Sequence, residues 1–241
     1  MREDGRQDYL LIELLMDFKR EFLEATKSGN TDKVKTLLES DPLLIQTRDE
    51  NGVSSLMLAI YHGRQEVVDL LLQFQSEPDL FESVALGKLK RVQDLIQGDP
   101  AQVNAVSPDG FSPLGLAAFF GHPKVAAYLV KKGADVNAAS KNPMRVCPLH
   151  SALAQRQPEV SLAITEMLVA HGADVNVRQA AGWTPLHQAA IHGQINLAKL
   201  LLDHGADVNA KAENGKTPLE LAATGKHNVM AALLREKGAL S

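Results

Sequence analysis

The sequence predicts an all-α solenoid of stacked helix-turn-helix units joined by short β-hairpin fingers. Three observations carry this reading. Prolines in near-identical settings, Ser112-Pro113-Leu114, Cys147-Pro148-Leu149, Thr184-Pro185-Leu186 and Thr217-Pro218-Leu219, recur at intervals of about 35 residues. Gly-Ala pairs opening at Gly133, Gly172, Gly205 and Gly238 keep nearly the same interval, about 33 residues in two of three cases. Between the two series, apolar residues fall at helical spacing, as Leu197, Leu200 and Leu201 do. A single unit of this size cannot bury its apolar face alone, so stability must come from stacking on its neighbours.

Residues 182–210, GWTPLHQAAIHGQINLAKLLLDHGADVNA, give the clearest unit. Thr184 is placed to N-cap a helix, and Pro185 suits its first turn, where the missing N–H has no intrahelical partner to lose. Leu186, Ala189 and Ala190 form a small-residue face that lets a neighbouring helix approach closely. Gly193 supplies the left-handed residue that ends the first helix. Leu197, Leu200 and Leu201 form the buried face of a second helix, which Gly205 ends. Asp207, Asn209 and Gly215 are turn formers and build the finger that leads into the next unit. This segment closely resembles the ankyrin repeat. The pattern returns as GFSPLGLAAFFGHPKVAAYLVKKGADVNA from Gly110 and as GKTPLELAATGKHNVMAALLREKGA from Gly215. Weaker copies start at Gly52 and Arg145, and two more, around Ser28-Gly29-Asn30 and Leu86-Gly87-Lys88, lack the opening motif.

The resemblance extends over nearly the whole chain. It implies a helical extension or cap at 1–17 and one ankyrin-repeat domain at 18–241, with repeats at about 18–48, 49–78, 79–106, 107–139, 140–178, 179–211 and 212–241. Three departures carry their own expectations. The stretch from Gly63 to Gly87 is about nine residues short of a unit, so the finger near 74–78 is truncated. Asp79 and Glu82 then read as a capping box for the next helix. Repeat five has two extra residues in its finger, within 141–145, and about four more between its helices, near 155–159, which should protrude away from the fingers. The apolar segment 9–18 either caps the first unit or pairs with another chain.

Composition excludes several classes of function. The 241 residues carry 25 basic against 29 acidic side chains, net −4 with neutral His. That balance argues against nucleic acid, which needs a basic face to neutralise phosphates. The single Cys excludes an internal disulfide framework and fits a reducing compartment. The N-terminal apolar run is broken by Glu13 and Asp17 and does not read as a signal peptide, and no other run is long enough to span a membrane. A soluble, cytoplasmic, monomeric protein is the expectation.

Catalytic and metal signals dissolve into the repeat. Gly215-Lys216-Thr217 looks like the end of a phosphate-binding loop, but that loop needs a glycine where Ala210 stands. Cys147 and His150 sit three apart like a nucleophile–base pair, yet they occupy the Thr and His slots of the TPLH motif. Each of the eight His falls in a repeat slot, with no His-x-x-x-His pair, so neither metal nor cofactor is expected. Asp135, Asp174 and Asp207 read as hairpin formers.

The resemblance also implies where a partner would bind: the concave side, made by finger tips and the exposed part of helix one. In those slots, expected to face solvent, stand Tyr61, Phe111, Phe119, Phe120, Val146, Trp183, Ile191 and His192, with Met144 close by. Clustered apolar side chains on an exposed face mark interaction sites, and rigid aromatics are typical anchors. The sequence therefore points to a non-catalytic protein-binding module, a scaffold, adaptor or inhibitor. The alternative is an enzyme or small-molecule sensor, with its site in the groove or in the repeat-five insertion.

Overall fold

The structure, a computed structural model, describes residues 4–74 and 77–240, with side chains from residue 16 onward. It is an all-α repeat solenoid, and among the described residues the only β-pairing is one isolated antiparallel bridge, Arg48 to Ser54. The fingers are therefore hairpin-shaped turns rather than strands. No helix is long and apolar enough to cross a membrane. The chain divides into two compact units, residues 1–82 and 83–241.

The first unit contains α1 (Asp4–Ser28), α2 (Thr31–Ser40), α3 (Ser55–Tyr61), α4 (Gln65–Phe74) and the start of α5 (Leu80–Ala85). Helix α1 runs through positions 17 and 18 without a break, so the expected extension and the first repeat helix are one element. The side chains of 9–15 lie outside the described residues, and with them the choice between capping and self-association. Phe22, Ala25 and Thr26 are buried at i, i+3 and i+4, the spacing that puts them on one face. Val34, Leu37 and Leu38 of α2 and Val67, Leu70 and Leu71 of α4 do the same. The expected truncated finger falls partly on residues 75 and 76, outside the described residues. At its exit the capping box is present. The Asp79 N–H donates to Glu82 Oε2 at 2.8 Å and the Glu82 N–H to Asp79 Oδ1 at 2.9 Å. The Ser54 hydroxyl donates to Glu82 Oε1 at 2.6 Å, which satisfies a carboxylate only 2 % exposed.

The second unit continues with α6 (Leu89–Gly98), α7 (Pro113–Phe119), α8 (Pro123–Lys131), α9 (Pro148–Leu153), α10 (Pro158–Ala170), α11 (Pro185–Ile191), α12 (Ile195–Asp203), α13 (Pro218–Thr224) and α14 (Asn228–Glu236). Prolines open α7, α9, α11 and α13 as the repeated tripeptides require. Leu186, Ala189 and Ala190 are fully buried, so the small-residue face does lie against a neighbour. In α12 the buried face is Leu197, Ala198 and Leu201, while Leu200 is only half-buried. The stripe is thus rotated by one small residue from the all-leucine reading.

The repeat-five insertion differs from expectation. It does not form a longer protruding loop: residues 154–157 join α9 to α10, much as 192–194 join α11 to α12. Instead α10 has 13 residues where α8, α12 and α14 have 9. Four residues are close to one helical turn of 3.6, so the insertion lengthens the helix without rotating its buried face. The same shift moves the helix-one slots of repeat five to Leu153 and Ala154. The neighbouring Gln155 is spent on the Phe119 carbonyl, to which its Nε2 donates at 3.4 Å.

Two polar rungs lock successive repeats together. In the first, an Asn at the foot of each finger reaches across to the following Gly-Ala turn. Asn137 donates to the Gly172 carbonyl at 3.0 Å and accepts from the Asp174 N–H at 2.8 Å. Asn104, Asn176 and Asn209 make the same pair of bonds to Gly133 and Asp135, Gly205 and Asp207, and Gly238 and Leu240. In the second, the residue at the start of each helix-two turn donates to the end of the preceding helix one. His122 bonds to Ala85, Gln194 to Leu153 and His227 to Ile191, at 2.8, 3.1 and 3.0 Å. These bonds explain why the Asn and His recur.

Candidate protein-binding surface

In the second unit the fingers form a backbone-paired row. Each is closed by one bond across its base: Ser107 N–H to Phe111 O, Ser140 to Val146, Gln179 to Trp183 and Ala212 to Lys216. Each also donates to the tip before it: Lys141 N–H to Gly110 O at 2.7 Å, Ala180 to Met144 and Glu213 to Ala181, both at 2.9 Å. Pro108 stands where Lys141, Ala180 and Glu213 stand in their own fingers, and a proline has no N–H to give. The row therefore begins at the finger 107–111. Arg178 ties two fingers together through bonds from Nη1 to the carbonyls of Gly182 and Lys211.

The expected site residues are spread over this row and beyond it. Phe111, Val146 and Trp183 lie on consecutive fingers and are half-buried. The slot does not face solvent throughout: its first-unit occupant, Val53, is buried, while Lys216 is exposed. The side chain that follows a finger glycine folds partly onto the helix it leads into. The Trp183 ring lies 6.2 Å from the His187 ring at a 32° tilt. Phe119 ends α7 and is 45 % exposed. Phe120 caps it, half-buried, with its ring edge-on to Phe119 at 5.1 Å. Ile191 ends α11 half-buried, its carbonyl taken by His227. Tyr61 ends α3, half-buried, in the first unit. His192 is exposed and lines a cleft of about 450 Å³ with Gln155, Pro158, Glu159, Leu162 and Gln194. Gln194 Oε1, buried beside this cleft, has no hydrogen-bond partner among the described residues. Met144, at the tip of the longest finger, is 58 % exposed and is the most open apolar side chain of the row.

The first unit has a cleft of its own, about 540 Å³, lined by Ile45, Arg48, Ser54, Phe74, Glu77, Asp79 and Glu82. It opens beside the finger the sequence reads as shortened.

The Cys147–His150 pair is not a reactive couple. Burial, aided by the nearby negative charges of Asp135 and Asp174, pushes the Cys147 thiol up to about 11, so a thiolate is scarce at neutral pH. Burial pushes His150 down to about 4. Its Nε2 meets the Trp183 carbonyl at 3.2 Å, which makes that nitrogen the N–H donor and leaves Nδ1 as an acceptor. Nδ1 has no partner among the described residues. In the next repeat, the equivalent His187 Nδ1 meets the Thr184 hydroxyl at 2.8 Å and accepts from the Thr184 N–H at 3.1 Å. The difference is the thiol at 147. Cys147→Thr should therefore supply the missing donor and stabilise the protein by about 1 kcal/mol. Urea midpoints checked against Cys147→Val, which brings no hydroxyl, test this; equal shifts in the two variants would remove the explanation. Among the described residues no three His, Cys, Asp or Glu side chains converge as a metal site.

Comparison with known proteins agrees with the geometry. The ankyrin-repeat family model matches three times, at residues 19–82, 80–179 and 159–240. The chain is 31 % identical over 212 residues to the nuclear factor NF-kappa-B p105 subunit of Gallus gallus, covering 80 % of this chain and 21 % of that one. It is 28 % identical over 184 residues to the target of rapamycin complex 2 subunit AVO2 of Saccharomyces cerevisiae, covering 69 % of this chain and 41 % of that one. It is 34 % identical over 109 residues to the ankyrin repeat and SAM domain-containing protein 6 of Rattus norvegicus, covering 44 % and 12 %. The chain spans less than half the length of each of these relatives.

Proposed function

Because the chain belongs to the ankyrin-repeat family, whose repeats mediate protein–protein binding, we propose that it is a non-catalytic scaffold, adaptor or inhibitor that holds a protein segment on its finger and helix-one surface. The observation that carries the reading is the run of apolar side chains along one backbone-paired row, from Phe111 through Met144 and Val146 to Trp183, with Phe119 and Phe120 at the end of α7. Apolar side chains left partly in water on a rigid frame lose little entropy when a partner covers them. The register of seven repeats over 18–241 belongs to this reading, as do Tyr61, Ile191 and His192 as further contacts, a monomeric state and a cytoplasmic location. Two relatives are named as subunits of larger assemblies, which fits a partner-binding role for this chain.

Affinity capture with mass spectrometry tests the reading, with the wild type set against Phe119→Ala/Trp183→Ala. The variant should lose the wild-type partner by at least about tenfold, while its circular dichroism melt stays close to wild type. Full retention of the partner would sink the surface. The second reading, a small-molecule sensor, rests on the open cleft beside α10 and the unpartnered Gln194 Oε1. A thermal shift produced by a metabolite and lost in Gln194→Leu would favour it instead.

A further inference from the structure

We propose that the turns joining helix one to helix two in the second unit form a separate docking edge, whose occupant is an acidic protein segment with one apolar anchor. The edge lies a helix-one length from the fingers, about 10 Å along a seven-residue helix such as α7. It stands independently of the apolar finger row.

The charge of this edge is one-sided. Taken over the same six positions in each repeat, 85–90, 119–124, 154–159, 191–196 and 224–229, the turns hold Lys88, Lys90, Lys124, Arg156 and Lys226 against a single carboxylate, Glu159. All six side chains are exposed. Lys90 shares its charge with Asp94, one turn further along α6, at 2.7 Å. The other four cations still outnumber Glu159, in a chain whose net charge is −4.

These cations stand where a cation is least welcome. Helices α6, α8, α10, α12 and α14 all begin at this edge, and the N-terminus of a helix is its positive end. Carboxylates are the usual residents of a first turn, yet α6, α8, α12 and α14 have none there, and Lys90 and Lys124 take the second positions of α6 and α8. None of the five helices has a side-chain bond at its N-cap. At the finger end of the same unit the opposite holds: Ser112 caps α7 and a capping box opens α13. Positive side chains set on positive helix ends break a local rule of stability, and proteins break such rules at functional sites. A bound anion supplies the compensation.

The five turns form one row. His122 Nε2 donates to the Ala85 carbonyl at 2.8 Å, Gln155 Nε2 to Phe119 at 3.4 Å, Gln194 Nε2 to Leu153 at 3.1 Å and His227 Nε2 to Ile191 at 3.0 Å, so each turn is tied to the one before it. Neighbouring helices pack about 8–10 Å apart, so the row runs for roughly 35 Å and its charges add into one field. An extended segment of about eleven residues spans that length.

The cleft of about 450 Å³ notches the row between its fifth- and sixth-repeat turns. Arg156, Glu159 and His192 line it together with the apolar Pro158, Leu162 and Ile195. A phosphate backbone carries no apolar side chain to fill such a notch, and a flat bilayer passes over it. A protein segment can set carboxylates against the cations and one apolar side chain into the cleft.

The test uses the full chain and a fluorescein-labelled peptide of about twelve residues, with Glu at every third position, one central Leu and Ser elsewhere. Anisotropy should show binding that weakens by about tenfold or more as salt rises from about 50 mM to about 500 mM. Replacing the peptide's Glu by Gln should cost about tenfold or more, and replacing its Leu by Ala several-fold. Lys88→Glu/Lys124→Glu/Arg156→Glu should lower affinity by about tenfold or more. The charge-matched Lys141→Glu/Lys211→Glu/Lys216→Glu, at exposed finger positions, should stay within about twofold of wild type. The first variant places carboxylates at helix N-termini, so its urea midpoint should not fall; a lower midpoint would contradict the premise that these cations oppose the helix ends.

No binding of the Glu peptide, binding indifferent to salt or to the Gln exchange, or equal losses in the two triple variants would overturn the inference. Tighter binding of single-stranded oligothymidine or of phosphatidylserine vesicles would overturn it as well. Any of these outcomes leaves the finger surface standing.

Discussion

Lowering the pH from about 7 to about 4 should remove on the order of 3 kcal/mol of folding stability through His150 alone. The side chain is 1 % exposed, and burial pushes its pKa from 6.5 to about 4, opposed only by its hydrogen bond to the Trp183 carbonyl. Between those two values the unfolded chain binds a proton at this site and the folded chain does not. Unfolding therefore takes up a proton, and acid favours it. The His150 contribution is fully present above about pH 6.5, declines as the pH falls towards 4, and changes no further below that. Burial shifts His187 in the same direction, so it adds to the loss on the acid side. Urea unfolding at stepped pH, with wild type against His150→Gln, measures the effect. The glutamine amide keeps a donor for Trp183 and cannot titrate. The variant should lose clearly less stability across the window, and parallel curves would refute a buried neutral imidazole.

Gly110→Ala should cost roughly 3 kcal/mol, and Gly215→Ala about 1 kcal/mol. Both glycines hold positive φ, +92° and +79°. A side chain at either pays the left-handed strain, but only Gly110 is crowded. A Cβ there would stand 2.8 Å from the Asn142 backbone nitrogen and 3.1 Å from the Lys141 carbonyl carbon, whereas at Gly215 nothing lies within 4 Å. Relief requires the next finger to move, which strains the 2.7 Å bond from Lys141 to Gly110 and the bond from the Asn142 amide to the Asp109 carbonyl. The difference between the variants thus reports the finger-to-finger contact alone. Thermal and urea melts that give equal losses would mean the row is not mechanically coupled. With the row loosened, Gly110→Ala should also weaken capture of the partner more than Gly215→Ala does.

Much of the architecture was legible in the residues, for reasons that are local. Thr184, Pro185, Gly193 and Gly205 act through backbone angles and caps, so their positions mark helix ends whatever surrounds them. The Asp79–Glu82 capping box was readable on the same ground, since both its bonds lie within one turn. The reading failed where neighbours decide. Four extra residues in repeat five looked like a loop, because a count of residues does not say whether they continue a helix. They do, since Pro158 can start α10 early and a near-integral turn keeps Ile164 and Leu168 facing the core. The finger and helix-one slots could be located in the sequence, but how far each side chain is covered could not: Phe111, Val146 and Trp183 are half-buried, and His192 lines a cleft beside α10.

The sequence by itself determined the repeat, its caps and its buried faces, because a stacked solenoid repeats the same short-range problem in each unit and solves it with residues a few positions apart. Only the tertiary structure decided which side chains share a surface. That depends on bonds between residues about 30 positions apart, such as Asn137 to Gly172, Arg178 to Lys211 and Lys141 to Gly110, and these align the fingers into one row.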